Sequence, residues 1–244
     1  MHGNIKLVIS YDGTNLYGFQ EAEAGPTVEM HLGTALEKIF QTPVKFNACS
    51  RTDRGVHAHG QVINFFLPRP FPIDPLMKAI NSHLPKEIRI RNIEPVEEAF
   101  HATLSAKSKT YRYTIDNGIF PSPFNRKTAW HLHLPLDLSK MEEAIPYLIG
   151  HQDYAAFAAD GHHEETLRNV HSITLEKKDH LVIVTIKGES FLYRMARALV
   201  GTLVYVGLGK FTPEDCKRIV GSRDRTQGGP SAPAHGLTLY HIDY

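Results

Sequence analysis

Residues 44–67 read VKFNACSRTDRGVHAHGQVINFFL, and how this stretch is divided decides the fold. Residues 44–48 and 62–67 are short runs rich in β-branched and aromatic residues, so each is expected to be a strand. Between them lies a polar loop in which one carboxylate, Asp53, is flanked by two guanidinium groups, Arg51 and Arg54. Arginine is charged at any ordinary pH, and two of them beside a carboxylate favour its anionic form. That suits a nucleophile or base better than a proton donor. Thr52 and Gly55 have turn chemistry, a hydroxyl for the backbone and a residue free to take positive φ, so the loop is expected to project Asp53 outward. Taken alone, such a loop is more often a solvated ion-pair cluster than an active site.

Working outward, residues 5–11 (IKLVISY) read as a strand ended by Asp12 and Gly13. Thr27 is the expected N-cap of a helix whose apolar residues Val28, Leu32, Ala35, Leu36 and Ile39 recur at helical spacing, and Pro43 stops it. Asp74 before Pro75 reads as the cap of a second helix running to about Leu84, and residues 88–96 make a fourth strand. The order β-α-β-β-α-β is that of a split βαβ unit. The second half is expected to repeat the plan without repeating the sequence. It has strands at 109–115, 130–134, 170–176, 181–186 and 237–242, a helix over 138–148 weakened by Pro146, and an amphipathic segment over 191–206. A short helix capped by Thr212 follows, with Pro213 in its first turn. The expected class is α+β: two ferredoxin-like halves, 1–104 and 105–244, joined into an extended antiparallel sheet. The helices pack on one face, and a basic cleft lies between the halves.

Composition narrows the function. The chain has 244 residues, 42% hydrophobic, with 27 Lys and Arg against 26 Asp and Glu, so any affinity for a polyanion must come from local clustering. Two cysteines, Cys49 and Cys216, make no disulfide framework and point to a reducing cytoplasm. The opening residues lack a signal peptide's apolar core, and residues 198–209, the longest weakly polar run, are too short to span a bilayer. Basic residues gather at Arg51 and Arg54, at Lys107, Lys109 and Arg112, at Arg194 and Arg197, and over 217–225. Tyr111, Tyr113, Phe191 and Tyr193 lie among them. Cations for phosphates interleaved with flat rings for bases are what a nucleic-acid site needs, whereas the plainer reading makes them a solvated face over an aromatic core. On a helix, Arg194 and Arg197 share a face and repel unless an anion lies against them. The fifteen histidines include the pairs His57 and His59, His131 and His133, and His162 and His163. None forms H-E-x-x-H, so no metal is expected, and no glycine-rich phosphate loop is present.

These residues also carry a resemblance that runs from end to end. YDGTNLYGFQ (11–20), SRTDRGVHAHGQ (50–61), KTYRY (109–113) and FLYRMARALVG (191–201) resemble, in order, the motifs of the tRNA pseudouridine synthase A (TruA) family. The resemblance implies that Asp53 is the essential carboxylate and that Arg51 helps displace the target base. It makes Tyr111 the active-site tyrosine and Arg197 the partner of Asp53. It further implies isomerisation of uridine to pseudouridine in the anticodon stem and loop of tRNA, without cofactor or metal, by a cytoplasmic homodimer. Ser50, Arg54, Ala196 and Phe19 depart from the family pattern of Gly, Ala, Val and Trp. The extra cation of Arg54 is expected to contact phosphate. A passive RNA-binding module and a His-dependent metalloenzyme are the rival readings; a carboxylate within the most basic loop speaks against the first.

Overall fold

A computed structural model describes residues 3–20, 23–159 and 165–244. The protein is of mixed α+β class, with five α-helices among the described residues, and it divides into two compact units. The first holds residues up to Lys107 together with Thr238–Tyr244, and the second holds Ser108–Leu237.

In the first unit, strand β1 (Asn4–Tyr11) pairs antiparallel with both β3 (His57–Phe66) and β4 (Ile88–Val96). Strand β2 (Phe46–Ala48) pairs antiparallel with the far end of β3, giving the order β4-β1-β3-β2. Ile5, Leu7, Ile9 and Tyr11 alternate onto one buried face, opposite Phe65, Ile63 and Gln61 of β3, as a period of two requires. Helices α1 (Val28–Phe40) and α2 (Ile73–His83) bury Val28, Leu32, Ala35, Leu36, Phe40, Leu76 and Ile80. Each of the larger side chains contributes about 1.5–3 kcal/mol by leaving water. Thr27 caps α1 as expected, its Oγ1 accepting from the Met30 N–H at 3.2 Å, and Gln41 closes the helix in the left-handed region at φ 58°. Asp74, in contrast, is not a cap. Pro72 holds that position without a side-chain bond, so Asp74 and Pro75 both lie inside the first turn.

The sheet's other face carries the buried pair Asn4 and Asn64. Asn4 Nδ2 donates to Phe100 O at 2.7 Å, and Asn64 Oδ1 accepts the Ala102 N–H at 2.8 Å, so these two amides hold the segment leading out of the unit. The chain's last strand, β10 (Leu237–Asp243), also belongs here by its contacts, although the sequence places it with the second half. It pairs parallel with the start of β3, Thr238 opposite His57 and Leu239 opposite Ala58. Local sequence carries no information on that pairing, because its partners lie some 180 positions apart.

In the second unit the order is β5-β9-β8-β7, from β5 (Ser108–Asp116), β7 (Gly150–Asp153), β8 (Leu167–Lys178) and β9 (Leu181–Gly188). β8 and β9 form a hairpin turning at Asp179, φ 53°, and β7 continues it as a meander. The order β5-β9-β8 follows that of β1-β3-β2 in the first unit, and β7 is added beyond β8. Strand β6 is only Trp130–His131, and β7 is a strand the sequence did not announce. Helix α3 (Leu138–Leu148) continues through Pro146. The carbonyl that the proline leaves without an in-helix donor belongs to the exposed Glu142. It packs on α4 (Met195–Gly207) and on α5 (Pro213–Ser222), where Thr212 and Asp215 form a capping box. The expected amphipathic segment proves to be a core helix: every residue of α4 except Arg197 and Tyr205 is buried. Arg194 stands before the helix in the left-handed region, φ 59°, so Arg194 and Arg197 do not share a helical face as expected. No helix among the described residues is long and apolar enough to cross a membrane.

Candidate active site

Residues 50–56 leave β2 and return to β3, so both ends of the Asp53 loop are anchored in one sheet. β3 starts at His57, five residues before the expected point, which shortens the loop. Its first residue is gripped by Gln61, a wholly buried amide. Gln61 Oε1 accepts the Ser50 N–H at 3.2 Å and Nε2 donates to Ser50 O at 2.5 Å. Next, buried Thr52 shares a 2.8 Å hydroxyl–hydroxyl bond with Tyr11, and its carbonyl accepts the Phe19 N–H at 3.0 Å. The Val56 N–H donates to Asp53 O at 3.1 Å across a turn whose third residue, Gly55, has φ 81°. Asp53 thus sits at the first corner of a fixed turn, half-buried, with Arg51 and Arg54 exposed beside it.

The segment 11–19 is the second wall of this loop. A Cβ on Gly18, itself at φ 99°, would lie 2.8 Å from Thr52 O, and one on Gly13 would overlap Val56 O. Glycine is required at both because backbone meets backbone there. The Gly13 N–H donates to the buried His57 ring at Nδ1, 3.1 Å, tying the two segments again. These restraints give the opening motif a mechanical role that its resemblance alone did not supply. Sequence reasoning also missed Gln61, although one signal was present. With a period of two, Gln61 shares the face of Ile63 and Phe65, and an amide on a core face must be bonded to something.

In the second unit, Tyr111 and Tyr113 lie two apart on β5, and both are buried. The Tyr111 ring meets Phe191 edge-on, centroids 5.1 Å apart at 87°. The Tyr113 hydroxyl donates to Pro233 O at 2.8 Å, and burial pushes its phenol pKa up, an effect only partly offset by the charge of Arg197. Arg197 projects from the first turn of α4 with Nε donating to Ala232 O at 2.7 Å. Residues 228–232 cross α4 where Gly201 and Gly229 leave no room for side chains, and the Ala232 N–H returns a bond to Arg197 O at 3.0 Å. The guanidinium is thereby aimed by a strap of backbone. Of the residues singled out from sequence, Arg51, Asp53 and Arg54 share one loop of the first unit, while Tyr111 and Arg197 belong to the second.

Among the described residues no group of three potential metal ligands occurs. His57 bonds Gly13, His131 Nε2 lies 3.0 Å from Gly118 O, and His162 and His163 fall outside the described residues.

The family model described as tRNA pseudouridine synthase matches residues 7–103 and 144–244, which include the Asp53 loop and Arg197, with Tyr111 in the segment between. A Thermoanaerobacter sp. (strain X514) protein named tRNA pseudouridine synthase A is 42% identical over 242 residues, 99% of each chain. The chain belongs to the tRNA pseudouridine synthase family. It is accordingly an isomerase. A Protochlamydia amoebophila (strain UWE25) protein named tRNA pseudouridine synthase A 2 is likewise 42% identical, over 99% of this chain and 94% of that one. The solved structure titled "Crystal Structure of a Cbf5-Nop10-Gar1 Complex" is similar only at TM-score 0.36 and 12% identity, over 82% of this chain and 54% of that chain. That likeness is too slight to bear on the fold.

Proposed function

We propose that this enzyme converts uridine to pseudouridine in the anticodon stem and loop of tRNA, with Asp53 as the reacting carboxylate and no cofactor. The observation that carries the reading is the Asp53 loop. A single half-buried anion stands between two exposed cations, on backbone immobilised from both sides by buried hydrogen bonds. Family membership supplies the reaction class.

The reaction breaks the bond from ribose C1′ to N1, turns the uracil, and forms a bond from C1′ to C5. The proton on C5 is lost and N1 gains one, so atoms balance without a second substrate. A stacked base cannot turn, so it must first be flipped out, with Arg51 entering the vacated space and holding the adjoining phosphate. Asp53 then acts on the sugar or the ring as nucleophile or base. In this reading Arg197 keeps that carboxylate ionised and aimed, and Tyr111 stacks on the detached base and assists removal of the C5 proton. Arg54 joins Arg51 in binding the RNA backbone. A homodimer spanned by one tRNA, in the cytoplasm, completes the proposal. The split βαβ character of the first unit belongs to it too, supported by the strand order β4-β1-β3-β2.

The test is Asp53→Asn, which keeps size and removes charge. The expected outcome is tRNA binding retained while pseudouridine formation falls by at least about a thousandfold. Turnover near the wild-type rate would end the proposal.

A further inference from the structure

Arg54 is the residue at which the Asp53 loop departs from the family motif, and its side chain does not turn toward its neighbour Asp53. Its guanidinium lies over the ring of Tyr17, Cζ 4.1 Å from the centroid. Among the described residues it makes no ion pair, and Arg54 is exposed. The ring beneath is itself fixed. The Tyr17 N–H donates to Pro26 O at 2.8 Å, and Gly25 packs so closely that a Cβ there would stand 2.6 Å from Tyr17 Cδ2 and Cε2. The phenol ring thus lies against both Gly25 and the Arg54 guanidinium.

We propose that this arrangement is a pre-set phosphate clamp: Tyr17, packed against Gly25, holds Arg54 so that its N–H edge takes a backbone phosphate of the RNA beside the target uridine. Four physical points support it. A guanidinium lying on a ring keeps its donors in plane and pointing past the ring's rim, the geometry that binds phosphate through two parallel bonds. The cation–π contact is strong enough at an exposed site to favour one placement without masking the N–H groups. Ordering a free arginine on binding costs side-chain entropy, and a side chain already stacked avoids part of that cost. Finally, drawing the guanidinium onto Tyr17 removes it from direct neutralisation of Asp53, which reconciles an added cation with a carboxylate that must stay reactive. Tyr17 and Gly25 are positioning residues in this account.

The inference rests on the reading that tRNA is the substrate, and the experiment separates the two. Affinity for an unmodified tRNA transcript is measured against KCl concentration for the wild-type enzyme, Arg54→Ala, Arg54→Lys, Tyr17→Leu, Tyr17→Phe and the Tyr17→Leu/Arg54→Ala pair. Arg54→Ala is expected to weaken binding about tenfold and to lower the slope of log Kd against log salt by roughly 0.7–0.9, the signature of one lost phosphate contact. Arg54→Lys restores the slope but not the full affinity. Tyr17→Leu weakens binding about two- to fivefold, has no further effect once Arg54 is alanine, and is rescued by Tyr17→Phe. An Arg54→Ala slope equal to the wild type, or a Tyr17→Leu effect that persists in the Arg54→Ala background, overturns the clamp. Absence of pseudouridine when the wild-type enzyme meets the same transcript would instead overturn the functional reading.

Discussion

The loop that presents Asp53 and the helix turn that presents Arg197 solve one problem in opposite ways. Each must hold a charged side chain in a defined direction, which requires stiff backbone behind it. In the first unit the stiffness comes from polar side chains, Gln61 and Tyr11, bonding a loop that has no regular structure of its own. In the second it comes from exclusion of space: α4 is buried nearly all round, and a backbone strap lies against Gly201 so closely that no side chain fits. Hydrogen-bonded support should fail by leaving buried polar groups unpaired, whereas close-packed support should fail by collision.

Gly201→Ala probes the second kind. The new Cβ meets Pro230 O, which is backbone and cannot swing aside. The gain in helix propensity, about 1 kcal/mol, is outweighed, and a net loss of about 3 kcal/mol should appear as a fall in Tm of roughly 6–12 °C by calorimetry. An unchanged Tm would show that the strap is free to move.

Gln61→Leu probes the first kind. Ser50 N–H and C=O lose their partner in a buried place, at a cost of about 2–3 kcal/mol, and pseudouridine formation should drop more than tenfold as the loop loosens. If stability falls while turnover holds, Gln61 serves the core and not the loop. Tyr11→Phe is milder, about 1 kcal/mol, because one buried hydroxyl pair is broken. Adding Thr52→Val should recover part of that loss in chemical denaturation, since removing both partners leaves nothing unpaired. Two additive losses would contradict a direct bond.

The smallest effect is expected at Asp153. Burial alone would raise its carboxyl pKa, but the Thr166 hydroxyl, the Ala155 N–H and Arg223 outweigh that and hold it below the ordinary carboxylate range. A depressed folded-state value gives stability that is present above about pH 4 and is lost as pH falls through the folded pKa. Asp153→Asn should therefore flatten the acid limb of the stability curve by less than about 1 kcal/mol, the exposed ion pair being screened by solvent. A flattening of the neutral region instead would place the titration elsewhere.

Legibility followed the range of the interactions. The elements of the first unit, the Thr27 cap and the Thr212 box could be read because caps and periodic faces involve residues within a few positions. The spacing over 191–206 suggests an amphipathic helix only while Arg194 lies on it, and Arg194 precedes α4. A left-handed residue before the helix takes that charge off the helix, and no periodicity reveals a positive φ.

Sequence alone determined which groups are available: an anion set between cations, tyrosines two apart on a strand, two arginines in the segment 191–206, and the motifs that place the chain in its family. Only the tertiary structure decided that Gln61 and Tyr11 grip the Asp53 loop, that β10 returns to β3, and that Arg54 lies on Tyr17. The reason is that hydrogen bonds, close contacts and cation–π attraction depend on separation in space, and folding brings together residues that the chain keeps tens to hundreds of positions apart.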